Sequence, residues 1–242
     1  MDNFLIIWFF ILGSVFGSFF GVVGSRLPKK ESIISPESHC TYCKHVLKWY
    51  ELIPIFSYII QKGKCRNCKK KLSIFYPLIE LACGLLFSLS FFCFGLSKEL
   101  LIALIIVSFF IIVIVSDVTY LIIPDEVTLF FSILVIVIKL TLFGIKEFLF
   151  SILSGILLFC LMYCIMMLGN KIFKKETLGG ADVKLMFFVG LILTPSLGIF
   201  NIFLSSCLAL PISLILLIKN KNNVIPFGPF ILLGLLFIYC FI

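Results

Sequence analysis

Long apolar runs constrain the fold of this chain more than any other feature of its sequence. Hydrophobic residues occupy 62% of the 242 positions and charged residues only 13%, whereas a soluble domain usually carries about 25% charged residues. A helix needs roughly 20 apolar residues to cross the hydrocarbon core of a bilayer. The sequence therefore predicts an all-α polytopic membrane protein with about eight transmembrane helices. Their predicted bounds are 4–23, 76–94, 100–116, 127–143, 148–168, 183–198, 200–218 and 225–242.

The basic residues fall mainly on one of the two sides that these spans define. Seventeen Lys and Arg lie in the four loops of one side, eleven of them in 24–75, against three on the other side. Loops rich in Lys and Arg stay in the cytoplasm, so we predict that the four-loop side is cytoplasmic and that both termini are outside. This excess of cytoplasmic Lys and Arg accounts for the net charge of +8. The expected partner of the chain is therefore membrane lipid, and no nucleic acid is predicted.

One large polar segment separates the first span from the others. We predict a first transmembrane helix at 1–23, a cytoplasmic loop at 24–75 and a seven-helix membrane domain at 76–242. The first span lacks the basic flank and the small-residue cleavage site of a signal peptide. It is therefore predicted to remain part of the protein.

Two CxxC pairs, separated by 21 residues, lie in the polar loop. Two such pairs can supply the four thiolates of a tetrahedral, structural zinc site. The other interpretations are two disulfides or four unligated thiols, and a cytoplasmic location disfavours the disulfides. We predict that the loop binds one zinc ion, which would leave no open position for catalysis. The predicted ligands are Cys40, Cys43, Cys65 and Cys68.

Two aspartates stand at the ends of apolar runs. Asp117 follows the run 100–116, and Asp182 precedes the run that begins at Val183. By the predicted topology both lie at the cytoplasmic ends of their spans, where two carboxylates that share a proton can act as base and acid. The other interpretation is that they are ordinary charges at the ends of helices. Glu80, Asp125 and Glu126 lie at similar depths and are weaker candidates.

The residues around Asp182 add to its candidacy. Gly179, Gly180 and Ala181 are small, so a substrate strand or a neighbouring helix can approach closely. Lys184 adds a cation two residues after Asp182, where it can tune the carboxylates or orient the span. A plain glycine turn between two spans is the alternative.

Several motifs, in order along nearly the whole chain, resemble those of the type IV prepilin peptidase family, which are membrane aspartic proteases of the GxGD type. Asp117 followed by Ile123-Pro124-Asp125 resembles the first catalytic motif, and the segment 179–185 resembles the second. Three further motifs resemble the opening, loop-closing and terminal signatures. They are Gly17-Ser18-Phe19 with Arg26-Leu27-Pro28, Tyr76-Pro77-Leu78-Ile79-Glu80-Leu81, and Ile225-Pro226-Phe227-Gly228-Pro229-Phe230. Two positions depart from the family: Ala181 replaces the second catalytic glycine, and Gly21 replaces a common Asn.

The resemblance implies a function, a location and a set of partners. It implies that Asp117 and Asp182 are the catalytic pair, that Gly179, Gly180 and Lys184 support them, and that 76–242 is the protease domain. The substrates would be type IV prepilins and pseudopilins, cut between a short basic leader and an apolar helix at the cytoplasmic face of the bacterial inner membrane. Many members also methylate the new N-terminal amine with S-adenosylmethionine. No glycine-rich signature in this chain indicates the residues that bind that donor.

Two other kinds of function fit parts of the sequence. A transporter or channel with a zinc-stabilised regulatory loop is compatible with many spans and acidic residues at membrane depth. It would need those residues for transport and would not cleave prepilin. A zinc-dependent membrane enzyme is the second alternative, and it would lose its chemistry on chelation even with its fold intact.

The charge asymmetry leads to a topological prediction. A reporter fused after Lys71 is expected in the cytoplasm, and a reporter fused at Lys146 is expected outside, because the Lys and Arg excess holds its loops inside. Compartment-specific reporter activity in whole cells measures both. An external reporter at Lys71 would contradict the arrangement.

Overall fold

The computed structural model of this chain describes residues 2–174, 178–218 and 226–241. The described residues form helices and no strand beyond two isolated bridges, which confirms the predicted all-α class. Contacts cluster in two compact units, 1–96 and 97–242. The predicted loop 219–224, together with Lys175, Ile225 and Ile242, lies outside the described residues. The division into a first helix, a loop and a seven-helix protease domain stays a prediction.

The first unit is built on a close pair of helices. Helix α1 spans Asp2–Arg26, the short α2 spans Phe56–Ile60 and α3 spans Phe75–Phe94. A Cβ added at Gly13 would lie 2.7 Å from the Phe87 Cβ, and one at Gly17 would lie 2.8 Å from the Cys83 Cβ. Glycines four residues apart let membrane helices pack backbone against side chain in this way. The pair α1–α3 thus anchors both ends of the polar loop.

The described residues of the second unit form six α-helices. Their bounds are Lys98–Tyr120 for α4, Asp125–Ile138 for α5, Ile145–Phe173 for α6, Gly180–Ile192 for α7, Pro195–Ile218 for α8 and Gly228–Phe241 for α9. A π-turn at Lys139–Phe143 follows α5. Gly144, which has a φ of 93°, then connects this π-turn to α6. Helix α8 holds α9 through Asn201, whose Nδ2 donates to the Ile231 carbonyl at 3.2 Å.

Helix α4 is the centre of the second unit. In α4, 67% of the apolar stretch is buried inside the protein. In the other five candidate membrane spans the buried share is 22–39%. The fully buried ring of Phe109 lies 4.7 Å from that of Phe188 on α7 and 5.2 Å from that of Phe131 on α5. These ring contacts hold α5 and α7 on the same central helix.

Six described helices are long and apolar enough to cross a membrane. The chain is therefore a multi-pass membrane protein. The other two predicted spans, 183–198 and 225–242, correspond to α7 and α9, which have 13 and 14 residues. At 1.5 Å per residue each covers only about 20 Å of a hydrocarbon core of about 30 Å. The predicted count of eight spans is thus approximate.

The predicted boundary between the spans 183–198 and 200–218 is wrong. Helix α7 ends at Ile192, and α8 begins at Pro195. Proline is favoured in the first turn of a helix, where its missing N–H costs nothing. Hydropathy alone does not mark this break, because apolar residues continue on both sides of it.

Helices α6 and α7 approach each other at two glycines. A Cβ at Gly190 would lie 2.6 Å from the Gly155 Cα and 2.7 Å from the Ser154 carbonyl oxygen, both parts of the α6 backbone. The Ser154 hydroxyl also donates to the Leu193 carbonyl at 2.8 Å, just after the end of α7. The position of α7 in the unit therefore depends on the absence of a side chain at Gly190.

Substitution of Gly190 tests this contact. We expect Gly190→Ala to lower the free energy of unfolding by about 1–3 kcal/mol, the usual cost of overpacking, because the methyl group meets backbone that cannot rotate away. Thermal unfolding in detergent measures the change. The matched control is Gly21→Ala on α1, where a Cβ meets nothing within 4 Å and alanine is the better helix former. Equal midpoints for the two variants would contradict the account.

Candidate functional site

Two equivalent turns form the cysteine site. Residues 39–46 and 64–71 each close with an isolated antiparallel bridge, His39 with Val46 and Lys64 with Lys71. In each turn the N–H of the first cysteine donates to a carbonyl five residues later at 2.9 Å. The residue after the second cysteine, Lys44 or Lys69, has a φ near 60°. The sequence analysis did not recognise these turns as a structural repeat.

The repeat brings the four cysteine thiols together. Their Sγ atoms all lie within 4.8 Å of one another, and the pairs Cys40–Cys68 and Cys43–Cys65 are each separated by 3.9 Å. A tetrahedral zinc ion with Zn–S bonds of about 2.3 Å would hold its sulfurs about 3.8 Å apart. The arrangement fits zinc, and the four cysteines are unpaired rather than disulfide-bonded.

Backbone hydrogen bonds prepare one of these thiols for a metal. The His45 amide lowers the pKa of the Cys43 thiol to about 6. A lower pKa favours the thiolate, which is the form that binds metal ions. The turn thus supports ligation through its backbone as well as through its cysteines.

A buried glutamate that the sequence analysis missed joins the two turns. The side chain of Glu51 is 1% exposed and lies 3.3 Å from His45 Nε2 and 3.8 Å from Arg66 Nε. It also accepts a hydrogen bond of 3.0 Å from the Lys48 amide. Burial raises the pKa of Glu51, but these donors and charges bring it below its usual value. His45 and Arg66 each follow a cysteine of a different turn, so one carboxylate braces both.

Asp117 lies in the last turns of α4 and is only 6% exposed. Helix α4 ends at Tyr120, and the next residue, Leu121, has a φ of 54° and donates its N–H to the Asp117 carbonyl at 2.9 Å. A Cβ at Gly228 would lie 3.1 Å from Asp117 Oδ2, so this carboxylate faces the first residue of α9. The N-terminus of a helix carries partial positive charge and free N–H groups, which favour an anion.

Asp182 lies in the first turn of α7. Its Oδ2 would be 3.1 Å from a Cβ at Gly179, and its N–H donates to the Gly179 carbonyl at 3.1 Å. This carboxylate therefore also lies at a helix N-terminus. Gly180, two residues before Asp182, has no described atom from outside its own turn within 4 Å of its Cβ position, so the described residues leave space on that side.

Helices α4, α7 and α9 bring the two aspartates near each other. The charge of Asp117 acts electrostatically on the Asp182 carboxyl, and Leu185 on α7 lies beside the same Gly228 that faces Asp117. The site thus brings together the C-terminal end of α4 and the N-terminal ends of α7 and α9. Two carboxylates in such proximity can divide the roles of proton acceptor and proton donor.

Lys184 pairs with Asp125. Its Nζ lies 2.7 Å from each Asp125 carboxylate oxygen, and this ion pair links the first turn of α7 to the first residue of α5. Asp125 is the first residue of α5, and the residue that caps this helix is Pro124. Glu80, another of the weaker candidates, accepts a hydrogen bond of 2.7 Å from the Ile55 amide. It therefore anchors the polar loop to α3.

Gly228 is the residue of the aspartate site that the sequence analysis did not select. A Cβ there would also lie 2.6 Å from Ile123 Cδ1, so a larger residue would require the Ile123 side chain to move. Its sequence signal is a glycine directly before a proline at the start of an apolar run. That signal marks a helix start but does not reveal which residue the helix faces.

Two family models match the chain. Residues 11–94 match the bacterial Peptidase A24 N-terminal domain, and residues 104–214 match the type IV leader peptidase family. No solved structure matches the chain.

Three curated relatives share the name prepilin leader peptidase/N-methyltransferase. The one from Bacillus subtilis (strain 168) is 43% identical over 50% of this chain and 49% of the relative. The one from Myxococcus xanthus (strain DK1622) is 35% identical over 78% of this chain and 56% of the relative. This chain thus matches about half the length of these two relatives. The one from Klebsiella pneumoniae is 32% identical over 75% of this chain and 82% of the relative. The chain therefore belongs to the type IV leader peptidase family.

Proposed function

We propose that this chain is a membrane aspartic endopeptidase that removes the basic leader peptide from type IV prepilins and pseudopilins. The proposal rests on the proximity of Asp117 and Asp182, which lie 65 positions apart in sequence but are near enough to interact electrostatically beside Gly228. The names of the relatives supply the substrate class. The excess of Lys and Arg in the predicted cytoplasmic loops supports a cytoplasmic site in the inner membrane.

The proposed reaction is hydrolysis of one peptide bond. The ionised carboxylate of the pair accepts a proton from a water molecule, whose oxygen attacks the carbonyl carbon of the scissile bond. The protonated partner donates its proton to the departing amine. One proton is thus taken up and one is given, so the pair ends the cycle with the protons that it started with.

The surroundings of the pair suit this chemistry. The N-termini of α7 and α9 favour the ionised form of the nearby carboxylates, while the mutual repulsion of two carboxylates favours retention of one shared proton. Burial of Asp117 beneath Ile123 and Gly228 limits the access of bulk water to it. The open side of Gly180 leaves room for an extended substrate beside Asp182.

The four cysteines are proposed to hold one structural zinc ion. With four thiolates bound, zinc has no open position, so its contribution is to fold the loop. The proposed ligands are Cys40, Cys43, Cys65 and Cys68. Glu51 braces the turns that carry them.

N-methylation is the second activity in the relatives' names, and we extend it to this chain. S-adenosylmethionine would supply the methyl group to the amine that cleavage releases. The one departure that touches this activity is Gly21, where the family commonly has Asn. The space around Gly21 is open, so the helix α1 offers room for a side chain at this position.

Neutral isosteres of the two aspartates test the protease. Asp117→Asn and Asp182→Asn are each expected to lower prepilin cleavage by at least the roughly 10²–10⁴-fold typical of general acid–base catalysis, because an amide cannot exchange the proton. The double variant is expected to be little worse than either single variant, since residues that act as a unit are non-additive. Mass spectrometry of the products in membranes with equal amounts of each variant measures cleavage and any methylation together.

Two milder variants serve as comparisons for this test. Asp125→Asn and Lys184→Ala weaken the ion pair that links α5 to α7 but leave both carboxylates of the site, so cleavage is expected to fall without disappearing. Near-normal cleavage by Asp182→Asn would contradict the aspartic-protease proposal and favour the transporter alternative.

Zinc content tests the metal site. Elemental analysis of the purified protein is expected to give about one zinc per chain, and Cys65→Ser is expected to lower that value because only three thiolates remain. The matched control is Cys207→Ser, an exposed cysteine of α8, which is expected to leave zinc content unchanged. Full zinc content after replacement of all four loop cysteines by serine would rule out this site.

A further inference from the structure

A groove of about 610 Å³ opens between α5, α6 and α7. Its walls are mainly apolar, with Leu129 on α5, Ile156 and Phe159 on α6 and Phe187 on α7. The hydroxyls of Thr128 and Ser132 also line it, but each donates to a carbonyl of its own helix. The groove therefore presents an apolar surface to whatever enters it.

The groove exists because α5 and α6 diverge. Both helices pack on α7, but they meet each other mainly through the π-turn that joins them. Away from that turn the space between them has α7 as its floor. In a membrane such an opening faces the hydrocarbon region, so a helix can enter it without leaving the bilayer.

The mouth of the groove is acidic. It is lined by Asp125, Glu126 and Lys184. The ammonium group of Lys184 is neutralised by Asp125, and no ion pair among the described residues involves the exposed Glu126. Glu126 therefore gives the mouth a net negative charge at the same end of the unit as Asp117 and Asp182.

We propose that this groove seats the apolar helix of the prepilin substrate, with Glu126 at the mouth facing the basic leader. This inference rests on the proposed function and names the part of the molecule that would select its substrate. The groove and the substrate match in the order of their charged and apolar parts. The groove has an acidic mouth followed by apolar walls, and the substrate has a basic leader followed by an apolar helix. Opposite charges at the mouth would orient the incoming helix and raise its rate of encounter.

The route from the groove to the aspartates crosses the first turn of α7. Lys184 lines the groove, while Asp182, two residues earlier, lies on the opposite side of the same turn. The chain segment between the seated helix and the leader would pass over Gly180, beside which the described residues leave open space, and would reach Asp182 Oδ2 at Gly179. The ion pair of Lys184 with Asp125 would hold in place the rim of the groove over which this substrate segment passes.

Charge reversal at Glu126 tests the recognition of the leader. Glu126→Lys is expected to raise the KM for prepilin about five- to tenfold at low salt, since an exposed attraction becomes a repulsion. The value of kcat should stay near that of the parent protein, because the aspartates are untouched. The effect should shrink as salt screens the charges. Glu147→Lys is the matched control, because Glu147 is an exposed glutamate in the first turn of α6 at the far end of the unit.

A charge swap separates recognition from simple damage. A prepilin whose leader carries Glu in place of its Lys and Arg should be cut poorly by the parent protein and better by Glu126→Lys. A photo-crosslinking residue placed at Leu129, in the groove, should capture prepilin. The same residue at the neighbouring Phe130, which does not line the groove, should capture it much less.

Two outcomes would overturn the inference. One is an unchanged KM in Glu126→Lys with no rescue by the swapped leader. The other is crosslinking from Leu129 to lipid alone, which would make the groove a lipid site. Both assume that the parent protein cleaves prepilin in the same assay. Failure of the parent protein itself would refute the proposed function instead.

Discussion

The burial of a carboxylate in an apolar helical unit is the constraint on which the second half of this molecule depends. An ionised group in such surroundings is costly unless hydrogen bonds or opposite charge compensate it. At Asp117 the compensation comes from the start of α9, where Gly228 lies against the carboxylate. At Asp182 it comes from the start of α7 itself. The site therefore requires the end of α4 and the starts of α7 and α9 to lie together. The short lengths of α7 and α9 are consistent with helices whose role is to present their N-termini to the carboxylates.

The cysteine loop also depends on a few polar groups for its structure, but for a different reason. It has few buried apolar residues, and many of its large apolar side chains are exposed, among them Trp49 at 79% and Ile34 at 86%. Hydrophobic burial alone gives a segment of this kind little stability. Two repeated turns and the buried carboxylate of Glu51 place four thiols at ligand spacing, and a bound metal would add the remaining free energy of folding. In both units a few polar side chains, held by backbone hydrogen bonds, define the geometry of the site. These are the two aspartates in the second unit and the four cysteines with Glu51 in the first.

The sequence was sufficient for those features that depend on local pattern. Apolar run length predicted the all-α membrane class, and CxxC spacing predicted that four cysteines would meet. It was insufficient where two distant segments decide the outcome. The break at Leu193 and Thr194 interrupts a long apolar stretch only briefly, so hydropathy did not reveal it. The roles of Gly228 and Glu51 and the pairing of Asp125 with Lys184 were missed because each depends on a partner that only the folded chain brings near. The catalytic roles of Asp117 and Asp182 and the ligand roles of the four cysteines remain predictions.

The ion pair of Lys184 with Asp125 shows how one contact can serve two parts of the molecule. Both side chains are largely exposed, at 50% and 68%, so in water the pair would add only about 0–1 kcal/mol to stability. Its position matters more than its strength. It joins the first turn of α7, which carries Asp182, to the first residue of α5, which forms the mouth of the groove. A displacement of α5 by an entering helix would therefore be transmitted to the turn that holds Asp182. Because that turn begins with two glycines, which resist rotation of the backbone least, the ion pair is the contact best placed to keep the carboxylate in register with Asp117 while substrate enters.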